Sequence, residues 1–146
     1  MTRLFFLSVI VFMGFTASPA LTTQSYASEP VLTTVSADVF QNRRNGRMWQ
    51  MHKSKRLRSP EDVATYLNKL NTGKYQDWRL PTKQELYDLF SFFDLKLYGD
   101  VRIQLEGNYW LENDGMMAGA WEIGDQCGPS RSFYTKKSGY VRAIRP

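Results

Sequence analysis

The sequence predicts an α+β fold built on an antiparallel sheet. An Asn-Gly pair at positions 45–46 indicates a hairpin early in the chain, because both residues tolerate the positive φ angles of a tight turn. Two capped amphipathic segments follow, and short aromatic segments separated by Gly and Asn make up the rest. This order of hairpin, helices and strands differs from the βαβ alternation that builds a parallel sheet.

The composition indicates a single globular domain. The chain has 146 residues, of which 42% are hydrophobic and 14% aromatic, and its net charge is +5. One Cys excludes an intrachain disulfide, and one Cys with one His argues against a zinc site of the Cys/His type. A Ser-His-Asp triad needs a single His, so the count leaves that chemistry open.

The first residues have the features of an export signal. Arg3 precedes an apolar run at residues 4–15, which is shorter than the roughly 20 residues of a membrane span. Small residues allow cleavage after Ala27, with Ala20 as the alternative. We expect a periplasmic or secreted protein with no transmembrane span in the mature chain; an uncleaved anchor is the alternative. The predicted divisions are a signal peptide, a lead-in and one domain, at residues 1–27, 28–38 and 39–146.

The local patterns predict each element in turn. A strand near residues 35–40 and a partner over 47–51 flank the Asn-Gly turn. Ser59 and Pro60 start a first helix that ends at residues 71–73, and a capping box of Thr82 and Glu85 starts a second. The two apolar faces are Val63, Tyr66, Leu67 and Leu70, and Leu86, Leu89, Phe90 and Phe93. Short strands are predicted at 109–111, 120–123, 132–134 and 140–144.

Four pieces of the chain resemble the Lcl C-terminal domain family of bacterial proteins. The most specific is Trp-Arg-Leu-Pro-Thr-x-x-Glu-Leu at residues 78–86, and a similar run occurs in formylglycine-generating enzymes. The other pieces are residues 46–50, 108–110 and 140–145, so that the resemblance covers about residues 39–146. It implies a C-type-lectin-like fold, with two helices packed on a small twisted antiparallel sheet and the chain ends close together.

The sequence departs from this family at two positions. Relatives often carry a Cys on the first helix and another in the last strand, where this chain has Leu67 and Ala143. The resemblance implies that those cysteines are partners, and that an apolar contact replaces their bond here. Formylglycine-generating chemistry relies on a pair of cysteines, which a single Cys127 does not supply.

A run of basic residues is the main candidate binding site. Seven cations and His52 lie between positions 43 and 58 with no acid among them, which favours an anionic partner. A solvated hairpin and loop is the alternative. Sulfated or phosphorylated glycans, anionic lipid headgroups and nucleic acid all fit this chemistry, although an exported protein rarely meets nucleic acid in vivo. The candidate residues are Arg43, Arg44, Arg47, Lys53, Lys55, Arg56 and Arg58.

Four other groups of residues are candidate functional sites that also have a structural explanation. Trp78, Arg79 and Glu85 are explained by a core aromatic, a tied turn and a helix cap. Oxygen ligands in the acidic loops could hold Ca²⁺, but the Glu-Pro-Asn and Trp-Asn-Asp motifs of calcium-dependent lectins are absent, so no metal is expected. Cys127 is expected to be a spare or interchain thiol rather than half of a dyad with His52. The oxygen ligands in question are Glu112, Asn113, Asp114, Glu122 and Asp125. The aromatic residues Tyr109, Trp110 and Trp121 could stack on sugar rings, but their alternation along short strands is more typical of core residues.

These observations favour an exported, non-catalytic binding module for an anionic glycan or surface polymer, with no cofactor. One alternative is a protein-interaction subunit of a cell-envelope assembly. Another is an enzyme that uses a pair of carboxylates.

Overall fold

A computed structural model of the chain describes residues 29–113, 115–123 and 131–146. The predicted signal peptide, Asp114, Asp125 and Cys127 lie outside the described residues. The helices are α1 (Pro60–Leu70) and α2 (Lys83–Asp94). The strands are β1 (Leu32–Ser36), β2 (Val39–Asn42), β3 (Met48–Gln50), β4 (Tyr109–Asn113), β5 (Gly115–Ile123), β6 (Arg131–Lys136) and β7 (Ile144–Arg145).

The fold is α+β, as predicted, but the strands form two sheets instead of one. The first sheet has the order β1-β2-β3-β7 and the second the order β4-β5-β6, and every strand pairing is antiparallel. The last segment of the chain contacts both sheets, because Tyr140 bridges Tyr109 of β4 while Ile144 pairs with Trp49 of β3. At Tyr140 the two sheets are connected by one isolated bridge, so they do not form a continuous hydrogen-bonded sheet.

The predicted strand at residues 35–40 is wrong, because the chain turns at Ala37 and Asp38. The main-chain N–H of Asp38 donates to the Ser36 hydroxyl over 3.3 Å, an ST-type contact that stabilises a tight turn. Thr34 and Phe40 then lie opposite each other in an antiparallel pair. Part of the predicted lead-in is therefore β1, an edge strand of the first sheet.

The predicted hairpin is confirmed. Gly46 has a φ of 76° and donates its N–H to the carbonyl of Asn42 over 2.8 Å, which closes the turn between β2 and β3. Phe40 and Trp49 are cross-strand partners, and their rings stack with centroids 6.4 Å apart. This aromatic pair fixes the register of the two strands.

Both predicted helices begin at their predicted caps. The Ser59 hydroxyl accepts the N–H of Asp62 over 3.2 Å at the start of α1, and Pro60 follows as the first helical residue. Thr82 and Glu85 satisfy each other's main-chain N–H groups at the start of α2, which confirms the capping box.

The core consists of two apolar clusters, one for each helix. The first surrounds Leu86, Leu89 and Phe90 of α2 and includes Trp49 and Tyr109 from the two sheets. The second surrounds Val63 of α1. It also contains Trp78, Trp110, Val141 and Ala143, with Leu67 packed against its edge.

The last predicted strand is shorter than expected. Only Ile144–Arg145 forms a strand, because the main chain of the preceding residues changes partner at each step. Tyr140 pairs with Asn108 and Trp110, Val141 with Ser54, and Ala143 with Gln50. The other three aromatic segments are confirmed as parts of β4, β5 and β6. No helix in the described part of the chain is long and apolar enough to span a bilayer.

Candidate functional site

Strand β3 divides the basic run into two groups. Arg43 and Arg44 lie in the turn at one end of the β2–β3 hairpin, whereas Lys53 and the basic residues after it follow the opposite end. The three residues of β3 alone span about 10 Å at 3.3 Å per residue. The structure therefore does not bring all seven predicted cations together.

Arg47 belongs to an internal ion-pair network. Its guanidinium donates to the Glu85 carboxylate over 2.6 Å, and Arg79 donates to the same carboxylate with both terminal nitrogens. Only 9% of the Glu85 side chain is exposed, so this pair links the hairpin to the start of α2. We therefore leave Arg47 out of the candidate surface.

The structural interpretation of the Trp-Arg-Leu-Pro-Thr segment is confirmed. Trp78 is buried in the second core cluster, and the main chain of Arg79 exchanges two hydrogen bonds of 2.9 Å with Ile144. Burial on its own would raise the pKa of Glu85, but hydrogen bonds from Arg79 and the Thr82 N–H, with the charges of Arg79 and Arg47, lower it to about 2. The carboxylate thus ties three parts of the chain together.

The basic segment after β3 is held rigidly by main-chain hydrogen bonds. Leu57 and Gly139 exchange hydrogen bonds of 2.8 and 3.1 Å in an antiparallel bridge. The N–H of Ser54 donates to the carbonyl of Val141 over 2.8 Å, and the Trp110 indole N–H donates to the carbonyl of Leu57 over 3.2 Å. The segment is therefore a fixed support for its side chains, although it contains no helix or strand.

Lys53 is the most firmly placed cation of this segment. Its ammonium group donates to the main-chain carbonyl of Glu106 over 2.8 Å and lies 4.5 Å from the centre of the Tyr140 ring. The ring face attracts the ammonium group. Together the two contacts hold the Lys53 ammonium group at a defined position.

Arg56 and Arg58 alternate with Leu57, whose side chain packs against the second core cluster. In a bridged, extended segment, alternate side chains point to opposite sides, so the two arginines lie on the solvent side about 7 Å apart. The Nε atom of Arg56 donates to the Ser138 hydroxyl over 2.9 Å. Arg58 has Asp62 close to its main chain, since its N–H donates to that carboxylate over 3.3 Å.

The same bridge adds a residue that the sequence analysis missed. Lys137 is exposed and precedes the Ser138–Gly139 step that lies beside the basic segment. The pairing of Leu57 with Gly139 joins positions 82 residues apart and has no local sequence signal, so only the fold reveals this neighbour. We define the basic surface as Lys53, Lys55, Arg56, Arg58 and Lys137.

A buried arginine underlies this surface. Arg142 is 2% exposed, and its guanidinium donates to the main-chain carbonyls of Gln50, Met51 and Gln104 over 2.5–3.0 Å. Its Nε atom has no hydrogen-bond partner among the described residues. Burial lowers the pKa of the guanidinium, and no described carboxylate pairs with it. Arg142 thus connects the start of the basic segment to the loop that leads to Glu106.

The structure separates Glu112 and Glu122, the two acidic residues of the suggested calcium site that it describes. Glu112 lies 3.6 Å from Arg79, whereas Glu122 lies 3.0 Å from Lys136. Glu112 pairs with Met116, and the six residue-to-residue steps of β5 from Met116 to Glu122 span about 20 Å. Among the described residues, no group of three His, Cys, Asp or Glu is placed to hold a metal ion.

The aromatic candidates are part of the core, as expected. Tyr109 and Trp110 are buried, and Trp121 packs between Tyr87 and Phe133 with centroids 4.9 and 5.3 Å away. The exposed His52 lines a cleft of about 290 Å³ beside Trp78.

Comparison of the chain with protein-family models, with curated proteins and with solved structures found no match.

Proposed function

We propose that this chain is an exported, non-catalytic binding module that holds an anionic polymer on the basic surface. The ligand class is a glycan or surface polymer that carries sulfate, phosphate or carboxylate groups. Such a ligand offers repeated negative charges, which a row of fixed cations can bind together.

One observation carries the proposal. Five cations lie around a main chain that the core holds in place, and none of their side chains has a described carboxylate within 4 Å. In contrast, internal carboxylates pair with Arg47, Arg79, Arg131, Lys136 and Arg145. The five cations of the basic surface thus form no ion pair among the described residues.

The family resemblance supports the same proposal. A C-type-lectin-like fold of the Lcl C-terminal type agrees with two helices, antiparallel sheets and a first and last strand that share one sheet. Of the two positions where relatives often have cysteines, Ala143 belongs to the second core cluster and Leu67 packs against it. The predicted signal peptide over residues 1–27 supports a destination where such polymers occur.

A salt titration with heparin as the sulfated probe tests the proposal. We expect the mature protein to bind heparin at low ionic strength and to lose affinity steeply as salt rises, because each cation that binds displaces counterions from the polymer. Neutral dextran of similar length is the matched control and should not bind. Heparin affinity that is unchanged between low and physiological salt would contradict a site built from exposed cations.

A further inference from the structure

Three of the four sheet edges are covered by other parts of the described chain. Outside β1, the N–H groups of Leu32 and Thr34 donate to the carbonyl of Leu97 and the carboxylate of Asp100. Outside β7, Arg79 exchanges hydrogen bonds with Ile144. Outside β4, the N–H groups of Trp110 and Glu112 donate to the carbonyls of Tyr140 and Pro81. Exposed edges are usually blocked because unpaired main-chain groups recruit further strands.

Strand β6 is the exception. It pairs with β5 over its whole length, and within residues 29–113, 115–123 and 131–146 no group bonds to its other edge. Six residues of extended chain present about 20 Å of alternating N–H and carbonyl groups. The strand contains Ser, Phe, Tyr and Thr between its charged ends, and no Pro or Gly. Phe, Tyr and Thr are residues that favour strands, so the sequence of β6 suits pairing with a further strand.

The two charged residues of β6, Arg131 and Lys136, both form ion pairs within the domain. Arg131 is 12% exposed and forms a two-pronged ion pair with Asp94 over 2.7 and 2.9 Å. Lys136 pairs with Glu122 over 3.0 Å. Tyr134 remains 47% exposed between them. Charged residues block an edge when they face an incoming strand, and here both are tied to carboxylates of their own domain.

We propose that the open edge of β6 binds an extended segment of another protein by strand addition. A second copy of this chain fits poorly, because its β6 contains no acidic residue that could meet the exposed Lys137 next to the strand. Lys137 follows β6 directly and is exposed, so it favours a segment with a carboxylate at that end. The partner segment is therefore extended and acidic at its end, with β-branched or aromatic residues in its centre.

A short peptide probe tests this directly. The acetylated and amidated peptide Glu-Val-Thr-Val-Thr-Val-Glu is titrated into the ¹⁵N-labelled mature protein, and the amide signals are followed by NMR. The matched control is the same peptide N-methylated at its five central residues, which keeps the side chains and both charges but removes those main-chain donors. A second control replaces both glutamates by lysine.

We expect the first peptide to shift the signals of residues 131–136. The N-methylated peptide should bind about tenfold or more weakly, since it lacks several main-chain hydrogen bonds. The lysine-ended peptide should also bind more weakly. Equal binding of the N-methylated peptide, or shifts confined to residues 53–58, would overturn the proposal. Concentration-dependent broadening at β6 without any probe would overturn it too, because the occupant would then be a second copy.

Discussion

At the scale of single residues, Glu85 is a carboxylate that links three parts of the chain through Arg47, Arg79 and the Thr82 N–H. Its pKa lies at about 2, below its ordinary value of 4.5, so its ion pairs stabilise the folded state above pH 4.5. As the pH falls from 4.5 towards 2, the unfolded state takes up the proton first and that stability is lost. Replacing the carboxylate by an amide keeps the shape of the side chain and removes this dependence.

We therefore expect Glu85→Gln to lower the free energy of unfolding at pH 7 by about 1–3 kcal/mol, because two arginines lose a shared carboxylate. Urea midpoints measured at pH 7, 4 and 2.5 check this. The difference between wild type and variant should shrink as the pH falls. Glu112→Gln is the control, since Glu112 is 59% exposed and should change stability by less than about 0.5 kcal/mol. A difference between wild type and Glu85→Gln that stays constant over this pH range would contradict the network.

Arg142 leads to a second prediction at this scale. Arg142→Met should lower the free energy of unfolding by about 3–5 kcal/mol, because three buried carbonyls lose their donor. Arg142→Lys keeps the charge but cannot reproduce the planar fork, and should recover only part of the loss. Thermal denaturation of the two variants measures this, and a methionine variant as stable as wild type would show that the guanidinium is dispensable.

The two residues also differ in how far the sequence could predict them. The capping box places Glu85 at the start of α2 from four adjacent positions, and the structure confirms it. Arg142 meets Gln50 and Gln104, which are 92 and 38 residues away, so no local pattern indicates its partners.

At the scale of elements, both helices were predictable because each carries its own start signal and its own apolar face. The strand pattern was harder to interpret. Val35 and Val39 both favour a strand, while Ala37 and Asp38 between them give only a weak turn signal, so the sequence predicts one strand where the chain forms the end of β1, a turn and the start of β2. The sequence also does not show that the strands form two sheets. The contact between the sheets is a bridge between Tyr109 and Tyr140, which are far apart in the chain and give no local signal.

The helices differ in how much they bury, which gives a third prediction. Leu86 of α2 is fully buried, so Leu86→Ala should cost about 2–5 kcal/mol. Leu67 of α1 packs against the second cluster but is partly exposed, so Leu67→Ala should cost only about 1–2 kcal/mol. Denaturant midpoints give both values, and an equal or larger loss for the Leu67 variant would contradict the burial described for α1.

At the scale of the whole molecule, the fold divides one basic run of the sequence into parts with different roles. Arg47 serves the ion-pair network, Arg43 and Arg44 lie at the hairpin turn, and the remaining cations are joined by Lys137 from the end of the chain. The sequence predicts that this surface is basic, but long-range pairing determines which residues lie on it. The hairpin turn with Arg43 and Arg44 and the basic surface are therefore two separate groups of cations, and charge-reversal variants can compare them.

The most direct test of the binding surface is heparin affinity of two double variants, Lys55→Glu with Arg56→Glu and Arg43→Glu with Arg44→Glu. Both change the net charge by the same amount at exposed positions, so both should keep the free energy of unfolding within about 0.5 kcal/mol. We expect the first pair to weaken heparin binding about tenfold or more at physiological salt, and the second to weaken it only about threefold or less, since its charges lie beyond a Debye length of about 8 Å. Equal losses would show that only net charge matters, and full affinity in the first variant would place the site elsewhere.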